Sequence, residues 1–275
     1  MTHQLKLPGG TIAYDDRGTG PLVICVPGMG DLRSTYRFST PLFAGAGYRV
    51  VCLDVRGMGE TSVSWDDYSV GAIGGDIVNL VEALGAGPAH VVGNSMAAGA
   101  AVVAAARRPD LVRSVTLTAP FVRDIMPAWA AAAIFGPMLS GPWRAALWNW
   151  YMRIAFPTRV APDQADETLR RNRNLAEPGR FDAFRRMALA SKRASAERLA
   201  DVTVPVLVVM GTRDPDFPNP AKEARHVAGS LHGKLLMVEG AGHYPQADSP
   251  DVFTAGLLDF FGSVDAARPA VIHGS

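Results

Sequence analysis

The chain is poor in several things that would assign it to a class at once. It has 2 cysteines in 275 residues, a formal net charge of +1, and no charge-free apolar run of bilayer-spanning length that proline or glycine does not interrupt. Cys25 and Cys52 sit inside the apolar runs LeuValIleCysVal and ValValCysLeu. They read as small core residues rather than a disulfide, which fits a reducing cytoplasm. The balance of 27 Lys and Arg against 26 Asp and Glu supplies no whole-chain field to draw the protein onto nucleic acid or an anionic membrane. The opening segment, MTHQLKLPGG, has no apolar stretch of the kind an export signal needs. Residues 125–143 carry no charge, but Pro127, Gly136, Pro137, Gly141 and Pro142 would strand backbone groups in lipid, so a soluble, pocket-facing segment is expected there.

Metal and cofactor signatures are missing as well. There is no HisGluXaaXaaHis, no CysXaaXaaCys, no phosphate-binding Walker pattern and no GxGxxG, so neither a metal nor a cofactor is expected.

What is present is the composition of a globular enzyme-sized domain, 48% hydrophobic and 19% charged, at a length that suits one core with an insertion. Short β-branched runs at 22–26, 49–54, 90–93, 114–118, 205–210 and 234–238 read as buried strands. Helical spacing recurs between them, in Ile73, Ile77, Leu80, Val81 and Leu84, in the alanines and valines of 97–106, and in Val252, Leu257, Leu258 and Phe261. Strand and helix in alternation imply a mostly parallel sheet covered on both faces. The alternating segments 4–7 and 11–14 around ProGlyGly add an antiparallel hairpin at its edge. The pattern loses definition after Ser263.

Between about residues 121 and 200 the strand pattern stops, and Trp129, Phe135, Met138, Trp143, Trp148, Trp150, Tyr151, Met152 and Phe156 cluster. This is expected to be a helical insertion. Residues 124–200 hold 12 Lys and Arg against 7 Asp and Glu, and Arg170, Arg171, Arg173, Arg185 and Arg186 read as a solvated helix face.

The sharpest chemical signal is ValValGlyAsnSerMetAlaAlaGly at 91–99, where a strand ends, turns at Ser95 and enters an Ala-rich helix. So tight a turn needs small residues two before and two after the serine, here Gly93 and Ala97, and it lifts the hydroxyl beside a helix N-terminus. A serine nucleophile needs a base and an acid to orient that base, and in a parallel sheet these converge from loops at the carboxyl ends of strands. His243, in GluGlyAlaGlyHisTyrPro after the last strand, is so placed. His3 and His273 are terminal, His90 begins a strand, and His226 and His232 fall on or just after a surface helix. The acid is expected from GlyThrArgAspProAspPhePro, with Asp214 first, Asp216 as its alternative, and Asp124 as a further candidate. The Gly-rich loop ValProGlyMetGlyAsp at 26–31 can present bare amides to an oxyanion, and Met29 and Met96 are the expected donors.

In the order VPGMGD, DVRGMGETS at 54–62, GNSMAAG, GTRDPDFP and GAGHYPQADSP, with a helical cap after the sixth strand, the chain resembles the α/β-hydrolase superfamily from about residue 4 to 262. The resemblance implies an α/β-hydrolase fold with a central sheet of about eight strands, a core of 1–121 and 201–275, and a cap of 122–200. It also implies Ser95 as nucleophile, His243 as base, Asp214 as acid and the Met29 and Met96 amides as oxyanion hole. Pro27, Asn94 and Ala97 depart from commoner residues of the superfamily without removing a catalytic group, and segment 54–62 reads as a structural turn. Serine at the elbow argues against the dehalogenase and epoxide hydrolase chemistry that runs through an aspartyl ester. The expected activity is hydrolysis of a small to medium apolar ester or lactone. Carbon–carbon hydrolysis, peracid chemistry and single-turnover sensing are the alternatives. Trp129, Met138, Trp143 and Trp148 are expected to roof an apolar pocket for a small-molecule substrate, and an exposed apolar cap would suit a homodimer.

Overall fold

The computed structural model describes residues 2–158 and 161–267. In chain order the elements are β1 (Thr2–Leu7), β2 (Gly10–Arg17), β3 (Leu22–Val26), α1 (Ser39–Gly45), β4 (Arg49–Leu53), α2 (Val70–Leu84), β5 (Ala89–Asn94), α3 (Met96–Arg107) and β6 (Val112–Thr118). Five helices follow without a strand: α4 (Ala128–Met138), α5 (Arg144–Ile154), α6 (Gln164–Ala176), α7 (Arg180–Leu189) and α8 (Arg193–Ala196). The chain then re-enters the sheet through β7 (Val206–Gly211), α9 (Pro220–Ser230), β8 (Lys234–Val238), α10 (Pro245–Asp248) and α11 (Pro250–Ala266).

The strands form one eight-stranded sheet in the order β1-β2-β4-β3-β5-β6-β7-β8, an α/β-hydrolase fold. The β1–β2 and β2–β4 pairs are antiparallel and the rest are parallel. The inner strands β3, β5 and β7 are buried throughout because both faces of the sheet are covered there. In β3, Ile24 and Val26 pack into one core layer while Val23 and Cys25 pack into the other. Cys25 and Cys52 are buried free thiols facing each other in register across β3 and β4.

Strand order reverses at β3, with β4 on one side and β5 on the other, so the loops leaving β3 and β5 diverge and open a crevice at their carboxyl ends. Val26 pairs with Gly93 at that point, which places VPGMGD against the turn at Ser95.

Three expectations are corrected. β8 forms the open edge of the sheet, so Lys234 and Leu235 are exposed rather than buried. The last helix continues past Ser263 to Ala266, because Val264 still packs against the sheet. The arginines of 170–186 are not all a solvated face. Arg171 is buried against Asp31, and Arg186 donates to the carbonyls of Trp65 and Asp66. His273 lies outside the described residues. Among the described residues, no helix is long and apolar enough to cross a membrane.

Candidate active site

The site begins with a strained residue. Ser95 has φ 58 and ψ −121, a backbone conformation that side-chain-bearing residues rarely adopt. It is held there from both sides. The Ser95 amide donates to the Thr118 carbonyl at 2.8 Å, and the Ser95 carbonyl accepts from the Phe121 amide at 3.2 Å and the Ala98 amide at 3.1 Å. The turn brings β5 and α3 so close that a Cβ at Gly93 would overlap the Ala97 carbonyl oxygen. Glycine is therefore required at 93, whereas at 97 it is the backbone that makes the contact and the alanine methyl is accommodated.

The loop after β3 packs onto this turn. A Cβ at Gly28 would lie 3.0 Å from Ser95 Cβ and 3.2 Å from Asn94 Oδ1. The same loop carries Met29, which walls a cavity together with Ser95 and Met96. Among the described residues neither the Met29 nor the Met96 amide donates a hydrogen bond.

His243 arrives from the loop after β8, buried, with its amide donating to the Ala155 carbonyl at 3.0 Å and its carbonyl accepting from the Asn94 side chain at 3.2 Å. Its Nδ1–H donates to Asp214 Oδ2 at 2.9 Å and Oδ1 at 3.1 Å, and lies 3.2 Å from Asp216 Oδ2. The Asp216 amide donates to Asp214 Oδ1 at 3.0 Å, which fixes the spacing of the two carboxylates. Burial works against a charged imidazole, but Asp214 and Asp216 outweigh it and hold the His243 pKa up to about 9. Burial pushes the Asp216 carboxyl above the usual carboxylate value, against the lowering influence of His243. Tyr151 of α5 donates its hydroxyl to Asp216 Oδ2 at 2.9 Å. Ser95 and His243 wall the same cavity, although among the described residues no hydrogen bond joins the Ser95 hydroxyl to the imidazole. In ligand-free sites such bonds often tighten only when substrate binds.

Asp124 is not part of this cluster. Its carboxylate accepts from the Ser191 hydroxyl at 2.6 Å and the Lys192 amide at 2.9 Å, capping the turn into α8. Asp214, Asp216 and His243 are also the one group among the described residues compact enough to hold a metal ion, with ligand atoms within 4.8 Å of one another. Of their atoms, His243 Nδ1 and both Asp214 oxygens are engaged with each other.

The cavity has a volume of about 370 Å³, and its walls are mostly apolar: Phe121, Ile125, Phe135, Met138, Leu139, Trp148 and Phe184, beside Ser95 and His243. That volume suits a small to medium substrate. Met138 and Trp148 stand in the cavity wall, whereas Trp129, 76% exposed, and Trp143, 53% exposed, do not. Trp129 lies on a helix that buries no residue fully, and Trp143 turns away to donate its indole N–H to the Pro137 carbonyl at 3.1 Å. Sequence reading missed the Asn94 bond to His243, the Tyr151 bond to Asp216 and the Arg171–Asp31 pair. Only Asn94, flanking the serine, and Tyr151, in the aromatic cluster, carried a signal that could have found them. A wider hollow of about 540 Å³ lies beside Arg33, Asp54 and Arg173, and Arg33 there is paired with Asp15, Asp54 and Glu60.

Comparison with known proteins agrees with this fold. The profile of the α/β hydrolase fold family matches residues 21–250. The chain is 33% identical to a pimeloyl-[acyl-carrier protein] methyl ester esterase of Neisseria meningitidis over 64% of this chain and 71% of that protein. It is 28% identical to a 2-hydroxy-6-oxo-6-phenylhexa-2,4-dienoate hydrolase of Comamonas testosteroni over 90% of each. Among solved structures, a bromoperoxidase from Bacillus anthracis superposes with a TM-score of 0.81 at 22% identity, covering 95% of this chain and 100% of that one. A family profile that spans most of the chain, on a sheet of this order with a serine at its sharpest turn, leaves one assignment: the chain belongs to the α/β-hydrolase fold family, and it is an enzyme.

Proposed function

We propose that the protein hydrolyses small to medium apolar carboxylic esters or lactones through an acyl-enzyme on Ser95. The observation that carries this reading is the strained Ser95 turn, which opens into an apolar cavity also walled by Met29, Met96 and His243. The neutral His243 imidazole takes the Ser95 proton as the hydroxyl oxygen attacks the carbonyl carbon. Asp214 holds the ring through Nδ1 and stabilises the imidazolium that forms. The Met29 and Met96 amides receive the developing oxyanion. Imidazolium then protonates the leaving alcohol. Water, deprotonated by the same imidazole, attacks the acyl-enzyme and releases the acid.

The rest of the reading follows from the same site and from the composition. The partner is a small-molecule substrate, nucleic acid has no part, and the chemistry as written calls on no cofactor. The compartment proposed is the cytoplasm, since both thiols are free in the core. A second reading keeps the same residues and changes the bond to carbon–carbon. It is favoured by the relative from Comamonas testosteroni, whose named substrate is an oxo-dienoate rather than an ester.

The test is a p-nitrophenyl ester series from acetate to octanoate, with wild type and Ser95→Ala in substrate excess. Many turnovers in the wild type and none in the variant are expected, and the best chain length sizes the cavity. A Ser95→Ala variant as active as wild type overturns the mechanism. One equivalent or less from the wild type moves the assignment to the carbon–carbon reading or to a sensor.

A further inference from the structure

The loop after β7 delivers two carboxylates to His243, where a triad uses one. Asp214 accepts from Nδ1–H with both oxygens, and Asp216 Oδ2 lies 3.2 Å from the same nitrogen. Two residues after an acid, an aspartate ordinarily serves as a turn or helix cap. Among the described residues, however, neither Asp216 carboxylate oxygen accepts from a backbone amide, and the next helix, α9, is capped by Asn219. Asp216 Oδ2 instead meets two groups, the His243 imidazole and the Tyr151 hydroxyl.

Tyr151 belongs to the helical insertion. It stacks on Trp148 at 5.0 Å between ring centroids and stands edge-on to the His243 ring at 6.4 Å. Burial holds its phenol well above the ordinary tyrosine value, so it remains a donor throughout the range in which an imidazole titrates. The other titratable groups facing this cluster are Asp31, from the loop after β3 and paired with Arg171, and Tyr244. Arg123, paired with Glu223, and Lys192, beside Asp124, stand farther along the cavity wall.

We propose that Asp216 is a second, positioning carboxylate for His243, held in place by Tyr151, so that the seating of α5 on the core sets the orientation and the proton affinity of the imidazole. The proposal rests on His243 acting as the base. Asp214 takes the N–H and Asp216 Oδ2 stands 3.2 Å from the same nitrogen, so the ring is held by one carboxylate and the charge it gains from Ser95 is balanced by two. When α5 lifts, Asp216 loses its hydroxyl donor, Tyr151. The chemistry of the base then reports whether the roof is down.

The test is a proton titration of His243 in the resting enzyme by NMR, with His243→Asn identifying its signal among the histidines. Because no substrate is present, the result stands apart from the esterase assay. Asp216→Asn is expected to lower the midpoint by about one pH unit, the effect of removing one nearby opposite charge. Tyr151→Phe is expected to move it by less than Asp216→Asn does, and by nothing further once Asp216 is Asn, because it acts through that carboxylate. A merely structural role would change the melting temperature and leave the midpoint alone. An unmoved midpoint in folded Asp216→Asn overturns the proposal, as does a Tyr151→Phe shift that persists in the Asp216→Asn background. If Asp216→Asn fails to fold, Tyr151→Phe alone decides, and an unmoved midpoint there overturns the coupling.

Discussion

The two halves of the helical insertion are held to the core by different physics. α6 and α7 are tied down by polar contacts. Arg37 makes two bonds of 2.6 Å to Asp163, and the Ser34 hydroxyl donates to Glu167 at 2.7 Å. Asn174 exchanges two 2.9 Å bonds with the backbone of Gly59, and Arg171 lies buried 3.2 Å from Asp31. α4 and α5 sit on the site mainly through apolar surface. α4 buries no residue fully, and α5 anchors through Trp148 and Met152, with the Tyr151–Asp216 bond as its polar tie to the loop after β7. The difference teaches which half can move. Lifting α6 strands a buried guanidinium and carboxylate, whereas lifting α4 and α5 uncovers mostly hydrocarbon. From the first half α7 lends Phe184 and Ala188 to the cavity wall, and the second half is its roof.

The comparison breaks most sharply at Arg171. Its replacement by Met leaves Asp31 buried without its partner, and we expect a loss of about 3–5 kcal/mol in urea unfolding. A loss no larger than that of an exposed ion pair would show that the wall is not held by charge. Trp148→Ala should cost about 3 kcal/mol, because the ring is only 7% exposed and packs 4.6 Å from the Phe184 centroid and 5.0 Å from that of Tyr151. It should also move the best ester chain to a longer acyl group, and an unchanged optimum would mean that Trp148 does not bound the acyl site. The smallest expected effect is read in pH. A base must be neutral to act, so kcat/KM should climb about tenfold per unit as pH rises toward the His243 pKa of about 9. The stability from pairing has the opposite sign: it is full below the ordinary histidine value of 6.5 and is lost as pH rises through about 9. A flat activity profile across this interval would remove His243 from the role of base.

Much of the fold was legible because its signals are local. The runs at 22–26 and 90–93 are strands because β-branched residues bounded by Pro and Gly have few other uses, and the Ser95 turn is visible because it demands small residues at fixed offsets. Asp214 and His243 could be chosen because each follows a strand run at the carboxyl edge, and they meet at 2.9 Å. What was not legible depends on distant partners or on helix rotation. Trp129 and Trp148 look alike in a segment that is apolar on all sides, and only packing decides that one is exposed and the other a cavity wall. Arg171 resembled its neighbours because the partner that buries it, Asp31, lies 140 residues earlier in the chain. Asp216 was distinguishable from a capping residue only once Tyr151 was seen to reach it.

The Ser95 turn carries a consequence for the order in which the molecule assembles. Its unfavourable backbone angles are fixed by the Thr118 carbonyl, at the far end of the next strand, and by the Phe121 amide three residues beyond it, after the whole of α3 has been wound. The nascent chain cannot set the proposed nucleophile until β6 has docked beside β5. The Ser95 turn is therefore complete only after β5 and β6 have paired, and a refolding chain should regain its helices and much of its core before its first turnover.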